Sequence, residues 1–264
     1  MPRRDERSAR RSAHRSRKKW SDKRQKSRRE LGQNFLKDKR VARRIVAESG
    51  VGKGDLVVEL GAGGGMLTRQ LARVAREVVA VEYDPYWVLH LRERFSDDDN
   101  VRVVEGDALT VRLPEETFVV VANIPFNTTT SILHRLLDDP TAPLQVAHLL
   151  VQKQVALKHA RSTPTTLKTL NWSPWYRFFA GLELPADAFH PKPEVDACLM
   201  VAAKRGPPLV APEHQYLFRA FVRRAFVGHG NSVIRIPTFH RTSALRFRTL
   251  LTENGAEQVE LARA

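Results

Sequence analysis

The chain has 264 residues, 42% of them hydrophobic, a single cysteine and a formal net charge of +15. That length and apolar content build one large domain, or a medium domain with a small companion, and the lone Cys198 excludes an internal disulfide framework or a cysteine zinc site. No apolar run approaches the roughly 18 residues of a membrane-spanning helix and none has the character of a secretory signal, so a cytoplasmic protein without membrane attachment is expected.

The charge is unevenly placed. Residues 1–29 carry 14 Lys and Arg against 3 Asp and Glu, residues 30–203 carry 20 against 22, and residues 204–264 carry 10 against 4. A near-neutral globular region flanked by two basic pieces is the footprint of a polyanion binder. Nucleic acid fits better than an anionic membrane, because the N-terminal segment lacks the apolar face of an interfacial helix. Residues 1–29, rich in Arg, Ser and Lys, are expected to be a disordered tail. Asp5, Glu6 and Asp22 and the absence of amphipathic spacing distinguish it from a transit peptide.

After Leu31-Gly32-Gln33-Asn34-Phe35-Leu36, a helix is expected with Asp38 as its cap, Val41, Ile45 and Val46 facing inward and Gly50 ending it. Asp55–Leu60 reads as a buried strand, Gly61–Gly65 as a tight turn, and Leu67, Leu71 and Val74 recur at helical spacing. Glu77–Glu82 is a second strand. Asp84 and Pro85 open a helix with Val88, Leu89 and Phe95 inward. Val101–Val104 and Thr117–Ala122 are further strands, then comes a helix with Ile132, Leu133, Leu136 and Leu137 buried, and a fifth strand over Leu144–Val151. This alternation predicts an α/β fold whose parallel sheet is covered on both faces. It stops near residue 160. Tyr176–Leu184 and Val195–Ala203 read as an antiparallel pair at the sheet edge. Residues 207–264 look helical and basic, with Leu217, Phe218, Phe221, Val222 and Phe226 as an apolar stripe, Arg219, Arg223 and Arg224 between them, and an irregular stretch over Gly228–Pro237. The expected division is therefore a tail (1–29), a catalytic domain (30–204) and a small basic helical domain (205–264) that binds RNA.

Four places carry chemistry. In Glu59-Leu60-Gly61-Ala62-Gly63-Gly64-Gly65, Gly61 and Gly63 permit positive φ and close approach of a ligand. Glycine turns also serve NAD and FAD enzymes, or are purely structural. Here the spacing is G-x-G-x-G and a carboxylate closes the strand, where a pyrophosphate would be repelled; both features favour a nucleoside without phosphates, such as S-adenosylmethionine. Glu82, 21 positions after Gly61, is placed to accept from the hydroxyls of a ribose. Asp107 and the Ala108 amide can accept from and donate to an adenine ring, although a Gly-Asp turn alone carries little. Lastly, Val119–Ala122 runs into Asn123-Ile124-Pro125-Phe126, which places an amide and an aromatic ring on the same rim. Ligands of open α/β sheets bind at that carboxyl rim, and a flipped base fits between amide and ring.

Gln33-Asn34-Phe35-Leu36, Glu59-x-Gly61-x-Gly63-x-Gly65, Glu82, Gly106-Asp107-Ala108, Asn123-Ile124-Pro125-Phe126, Val151-Gln152-Lys153-Gln154-Val155-Ala156 and Phe189-x-Pro191-x-Pro193-x-Val195-Asp196-Ala197 occur in this order. As an ordered set they resemble the rRNA adenine-N6 methyltransferases, which include the erythromycin-resistance (Erm) enzymes of 23S rRNA and the small-subunit dimethyltransferases. The Arg-rich tail, Phe rather than Tyr at 126 and the weakly matching C-terminal region point to the Erm branch, although Asn127 follows Phe126 as in the small-subunit enzymes.

The resemblance implies a Rossmann-like, mostly parallel seven-stranded methyltransferase domain. It implies mono- or dimethylation of a 23S rRNA adenine near the peptidyl-transferase centre, on naked or early-assembling RNA, by a monomer without metal. It also implies resistance to macrolide, lincosamide and streptogramin B antibiotics, in the manner of an antibiotic producer's self-protection; the alternative is 16S rRNA dimethylation in ribosome biogenesis. S-adenosylmethionine, leaving as S-adenosylhomocysteine, is expected to be held by Gly61 and Gly63 at the methionine part, Glu82 at the ribose, Asp107 and Ala108 at the adenine and Asn123 beside it, with lid contacts from Asn34 and Leu36. The Asn123 side-chain carbonyl and a main-chain carbonyl near Ile124 are expected to take the amino group of the target base. Phe126 would stack on that base and Phe189 would close its other face, favouring a cationic intermediate. An NAD-dependent oxidoreductase is disfavoured by the glycine spacing, and a non-enzymatic RNA binder leaves the cofactor rim unexplained. In a DNA adenine methyltransferase, Ile124 would usually be proline.

Overall fold

A computed structural model describes residues 34–161 and 166–227, with side chains as far as Arg223. The tail 1–29, the Leu31–Gln33 part of the first motif, the side chains of Arg224 and Phe226, and the Gly228–Pro237 stretch lie outside the described residues. The elements in chain order are β1 (Phe35–Leu36), α1 (Lys39–Ser49), β2 (Leu56–Leu60), α2 (Met66–Leu71), β3 (Glu77–Glu82), α3 (Pro85–Arg94), β4 (Val101–Glu105) and β5 (Phe118–Asn123). They continue with α4 (Thr129–Leu137), β6 (Leu144–Gln152), α5 (Lys153–His159), α6 (Leu167–Trp172), β7 (Tyr176–Leu184), β8 (Phe189–His190), β9 (Ala197–Lys204) and α7 (Gln215–Val227).

Seven strands form one sheet in the order β4-β3-β2-β5-β6-β9-β7. The first five are mutually parallel, and β9 lies antiparallel between β6 and β7. The chain leaves β2 toward β3 and β4 on one side and then returns to β5 on the other. That reversal opens a crevice between the carboxyl ends of β2 and β5, the usual ligand position in such sheets. All five residues of β2 are buried, as a strand covered on both faces requires. Successive residues serve opposite layers: Val58, Leu60 and Val120 join one core with α4, and Val57, Val119 and Val121 join the other with α1.

Local signals set several boundaries. The Asp38 side chain accepts from the Arg40 amide at 2.7 Å, and that bond holds its carboxyl below the usual range; Gly50 closes α1 at φ 67°. Asp84 caps α3 in the same way, with Pro85 following. Two inward assignments are corrected. Leu89 is 66% exposed, because Val88, Leu91 and Phe95 form the buried stripe of α3, and Leu217 is 52% exposed while Phe218 and Val222 are buried. The expected boundary at 204 coincides with the end of β9. Beyond it, Phe218 and Val222 share the core of the main sheet, with the Phe218 ring edge-on to Trp175 at 5.8 Å.

One central position carries an unmet demand. His148 of β6 pairs with Val121 on one side and Val201 on the other, and both ring nitrogens are buried without a partner among the described residues. Burial pushes its pKa from 6.5 down to about 4. Since the folded value is depressed, the stability attached to keeping this ring neutral is complete above pH 6.5 and lost as pH falls through about 4. His148→Leu is expected to raise stability at pH 7 by about 1 kcal/mol or more and to weaken the acid dependence below pH 6.5. Urea denaturation at pH 7 and pH 5 checks both parts.

Candidate active site

The glycine turn between β2 and α2 begins where β2 outlives its register. Gly61 and Ala62 both donate to the Val81 carbonyl, at 2.9 and 3.0 Å, and Gly61, Gly63 and Gly65 adopt φ of 76°, 53° and 76°. Gly65 is irreplaceable on two grounds: its φ, and a side chain there would meet Phe95 at 2.7 Å and Leu91 at 2.8 Å. Glu82 at the end of β3 ties the turn down. Its Oε2 accepts from the Gly63 amide at 2.7 Å, and its Oε1 accepts from the Tyr83 and Asp84 amides, each at 2.9 Å. A carboxylate oxygen has two lone-pair sites, so Oε2 retains one acceptor site for a ribose hydroxyl while Oε1 is saturated. The expected bond to both ribose hydroxyls is therefore narrowed to one oxygen.

Beyond β4, Asp107 Oδ1 accepts from the Leu109 amide at 2.8 Å, which fixes the Gly106-Asp107-Ala108 turn. Beyond β5, Asn123 is half-buried. Its Nδ2 donates to the Asn34 carbonyl at 2.7 Å, and its Oδ1 is buried without a partner among the described residues. A carbonyl can only accept, so the Asn34 contact sets which end of the amide is the donor. The acceptor left behind faces a desolvation cost that an N–H donor from a ligand would remove.

These pieces enclose a cavity of about 290 Å³ lined by Asn34, Gly61, Gly63, Glu82, Asp107, Ala108, Asn123 and Ile124 among others. A second cavity of about 310 Å³ adjoins it, lined by Leu36, Lys37, Glu59, Met66, Trp87 and His190 among others. Phe35, Gly61 and Asn123 border both. Residue types and placement fit S-adenosylmethionine: flexible backbone at Gly61 and Gly63, a carboxylate at Glu82, and an acceptor without a donor at Asn123.

Two expected residues stand apart. Phe126 opens a single 3-10 turn, Phe126–Thr128, and its partly buried ring packs against the core on the α1 side. Phe189 has no exposed surface. It lies in that same core with Leu36, Leu184 and Leu199, so in this structure its ring has no face to offer a base. That is a correction to the stacking role expected for it.

Three further residues border the cavities: Tyr83 escaped the sequence reading, whereas Phe35 and Glu59 stood in its motifs without a place in the expected site. Tyr83 lines the cavity beside Glu82 and Asp107 and is 71% exposed; its signal was its position directly after Glu82. Phe35 sits on the glycine turn: a side chain at Gly63 would meet its Cε1 at 2.7 Å, and its ring lies 5.6 Å from that of Trp87. Glu59 lines the second cavity, is 1% exposed and accepts from the Thr68 hydroxyl at 2.6 Å.

Burial raises the Glu59 pKa from 4.5 to about 8, the bond from Thr68 opposing and the charge of Glu82 adding to the rise. Burial thus favours the neutral form of Glu59, which weakens the repulsion of a pyrophosphate expected of it from the sequence. Its folded value is the higher one, so its stabilising contribution is complete below pH 4.5 and lost as pH rises through about 8. Glu59→Gln, which keeps an acceptor for Thr68 and never ionises, is expected to flatten the loss of stability between pH 5 and pH 8. Denaturation midpoints across that range check this, and an unchanged slope contradicts it.

The family model for ribosomal RNA adenine dimethylases matches residues 24–257. The mycinamicin-resistance protein MyrB of Micromonospora griseorubida is 37% identical over 209 residues, covering 79% of this chain and 66% of that protein. The ribosomal RNA small subunit methyltransferase A of Moorella thermoacetica is 36% identical over 219 residues, covering 75% and 74%. Among solved structures, the 23S rRNA methyltransferase ErmE superposes with a TM-score of 0.68 at 28% identity, covering 87% of this chain and 95% of that one.

Proposed function

The chain belongs to the ribosomal RNA adenine dimethylase family, and from that membership we propose that it methylates N6 of one adenine in 23S rRNA and so confers resistance to macrolide, lincosamide and streptogramin B antibiotics. Adenine-N6 methylation of rRNA, dependent on S-adenosylmethionine, is the activity of the family. When bound, that cofactor supplies an electrophilic methyl group on a sulfonium.

The observation that carries the catalytic part is the orphaned Asn123 Oδ1, buried at the mouth of β5 beside the Gly61 turn. The exocyclic amine of adenine is a weak nucleophile because its lone pair is delocalised into the ring. An acceptor at Asn123 Oδ1, assisted by the Ile124 main chain, takes hydrogen bonds from the amino group and turns the lone pair out of the ring plane. Phe126, three residues on from Asn123, is the ring assigned to stack on the base, which requires it to turn from its packing on the α1 side. Positioning rather than strong base catalysis is what this arrangement contributes. Gly61, Gly63, Glu82, Asp107 and Ala108 hold the cofactor, and Asn34 and Leu36 close over it.

The 23S target is favoured by the likeness to ErmE and MyrB, by the Arg-rich residues 1–29 and by Phe126. The similarity to a small-subunit enzyme makes 16S rRNA the second reading. Incubation with labelled S-adenosylmethionine and protein-free 23S or 16S rRNA, followed by mapping of the modified adenine, separates the two. Label confined to 16S rRNA overturns the 23S reading and the resistance that follows from it.

Asn123→Ala is expected to keep cofactor affinity within a few-fold and to lose roughly a hundredfold or more in turnover. Calorimetric titration and methylation kinetics check the two halves, and undiminished turnover refutes the assignment. Deleting residues 1–29 is expected to weaken RNA binding and make its salt dependence shallower; an unchanged slope of log affinity against log salt would show the segment to be idle.

A further inference from the structure

Phe189, expelled from the base-stacking role, is held in a place with its own logic. It opens β8, which pairs antiparallel with β1 so that Phe35 stands opposite His190 and Leu36 opposite Phe189. Leu36 is 6% exposed and Phe189 not at all, and both sink into the core with Leu184 and Leu199 from β7 and β9. Two further bonds fasten the same segment: the Lys37 amide donates to the Ala188 carbonyl at 2.9 Å, and Lys37 Nζ donates to the Asp187 carbonyl at 3.0 Å. The strand so fastened carries Phe35 over Gly63, and it carries the Asn34 carbonyl that takes Asn123 Nδ2 at 2.7 Å.

We propose that Phe189 is a positioning residue: a buried peg that seats the lid strand β1, whose Asn34 carbonyl in turn holds Asn123 Nδ2 and so leaves Oδ1 as the end that receives the base. The proposal rests on Asn123 being the amide that receives the target base. An amide has no intrinsic preference between its two ends. Unlocked, it can turn over and present its NH2 group to an adenine amine that also donates, and the two donors repel. The Asn34 carbonyl removes that second orientation, and β8 keeps the carbonyl in reach. Lid and base-holding group are thereby one unit, although residue 34 and residue 189 are far apart in the chain.

The peg and the stacking ring make opposite demands on the side chain. Stacking needs an aromatic face and tolerates tyrosine. A peg needs apolar volume, tolerates leucine, and is damaged by a hydroxyl buried where no water reaches it. Phe189→Leu is expected to hold kcat/KM within about threefold of the parent. Phe189→Tyr is expected to lose about tenfold or more, through a lower kcat and a higher KM for the cofactor together. Active tyrosine with inactive leucine overturns the proposal and restores the stacking role.

Because a buried hydroxyl can unfold the chain, Leu36→Ala serves as a second variant, thinning the same contact from the lid side. Each variant is assayed at a temperature where circular dichroism reports the native fold. The side-chain amide signal of Asn123 in a 15N-resolved spectrum, identified by its loss in Asn123→Asp, gives a readout that simple destabilisation does not move. It is expected to shift in Leu36→Ala and in Phe189→Tyr, and to stay in place in Phe189→Leu. An unmoved signal in a folded Leu36→Ala overturns the coupling. That spectrum needs no RNA. If the parent protein labels neither rRNA, the functional reading falls while the amide signal still decides whether Phe189 and β1 set Asn123.

Discussion

Everything at the candidate site hangs on one carboxylate. Glu82 is 4% exposed, and its charge is stabilised by the backbone amides of Gly63, Tyr83 and Asp84. Charge-assisted bonds of this kind are the strong ones. They join the turn after β2 to the corner after β3, two segments that share no sequence neighbourhood. Burial, with a smaller push from the charge of Glu82, raises the pKa of the neighbouring Glu59 to about 8 and so favours its neutral form.

What the sequence made legible was whatever is local. Asp38 and Gly50, Asp84 and Pro85, and the valine-rich runs of β2, β3 and β5 each act through neighbours a few residues away, and their elements stand where expected. The cofactor rim was legible for a related reason: strand ends of a parallel sheet fall on one edge, so Gly61, Glu82, Asp107 and Asn123 converge once the strands are known. Leu89 and Leu217 were misplaced because a leucine beside a buried stripe looks identical to one within it until the neighbouring layer is present. Phe189 was misplaced for a deeper reason. Its partner strand has two residues and lies at the other end of the domain, and a pairing that short and that distant leaves no periodic trace.

Charge, too, reads differently once packed. Arg219, counted from sequence among the basic residues of the C-terminal region, donates to the Asp138 carbonyl at 2.6 Å and lies 5.9 Å from the Trp175 ring centre. It clasps α7 to the end of α4. By contrast Lys39, Arg43 and Arg44 on α1 are exposed, and they sit inside the segment whose net charge is close to zero. A polyanion meets the distribution of charge on the surface, not the sum along the chain. The domain itself therefore presents basic side chains to a polyanion, although its charges sum to nearly zero.

The place of β9 sets an order of assembly. It lies between β6 and β7, yet it is the last of the three to leave the ribosome. Until it does, β7 has no strand to pair with, and the long apolar β6 (Leu144–Gln152) presents an open hydrogen-bonding edge. β1, the first strand among the described residues, waits almost as long, since β8, its partner, emerges just before β9. Synthesis thus yields a half-sheet with its glycine turn and carboxylates in place but with neither lid nor closed edge. Completion of the sheet therefore waits on a strand made after both of its neighbours, and until it is placed the open edge of β6 is the surface most prone to wrong pairing.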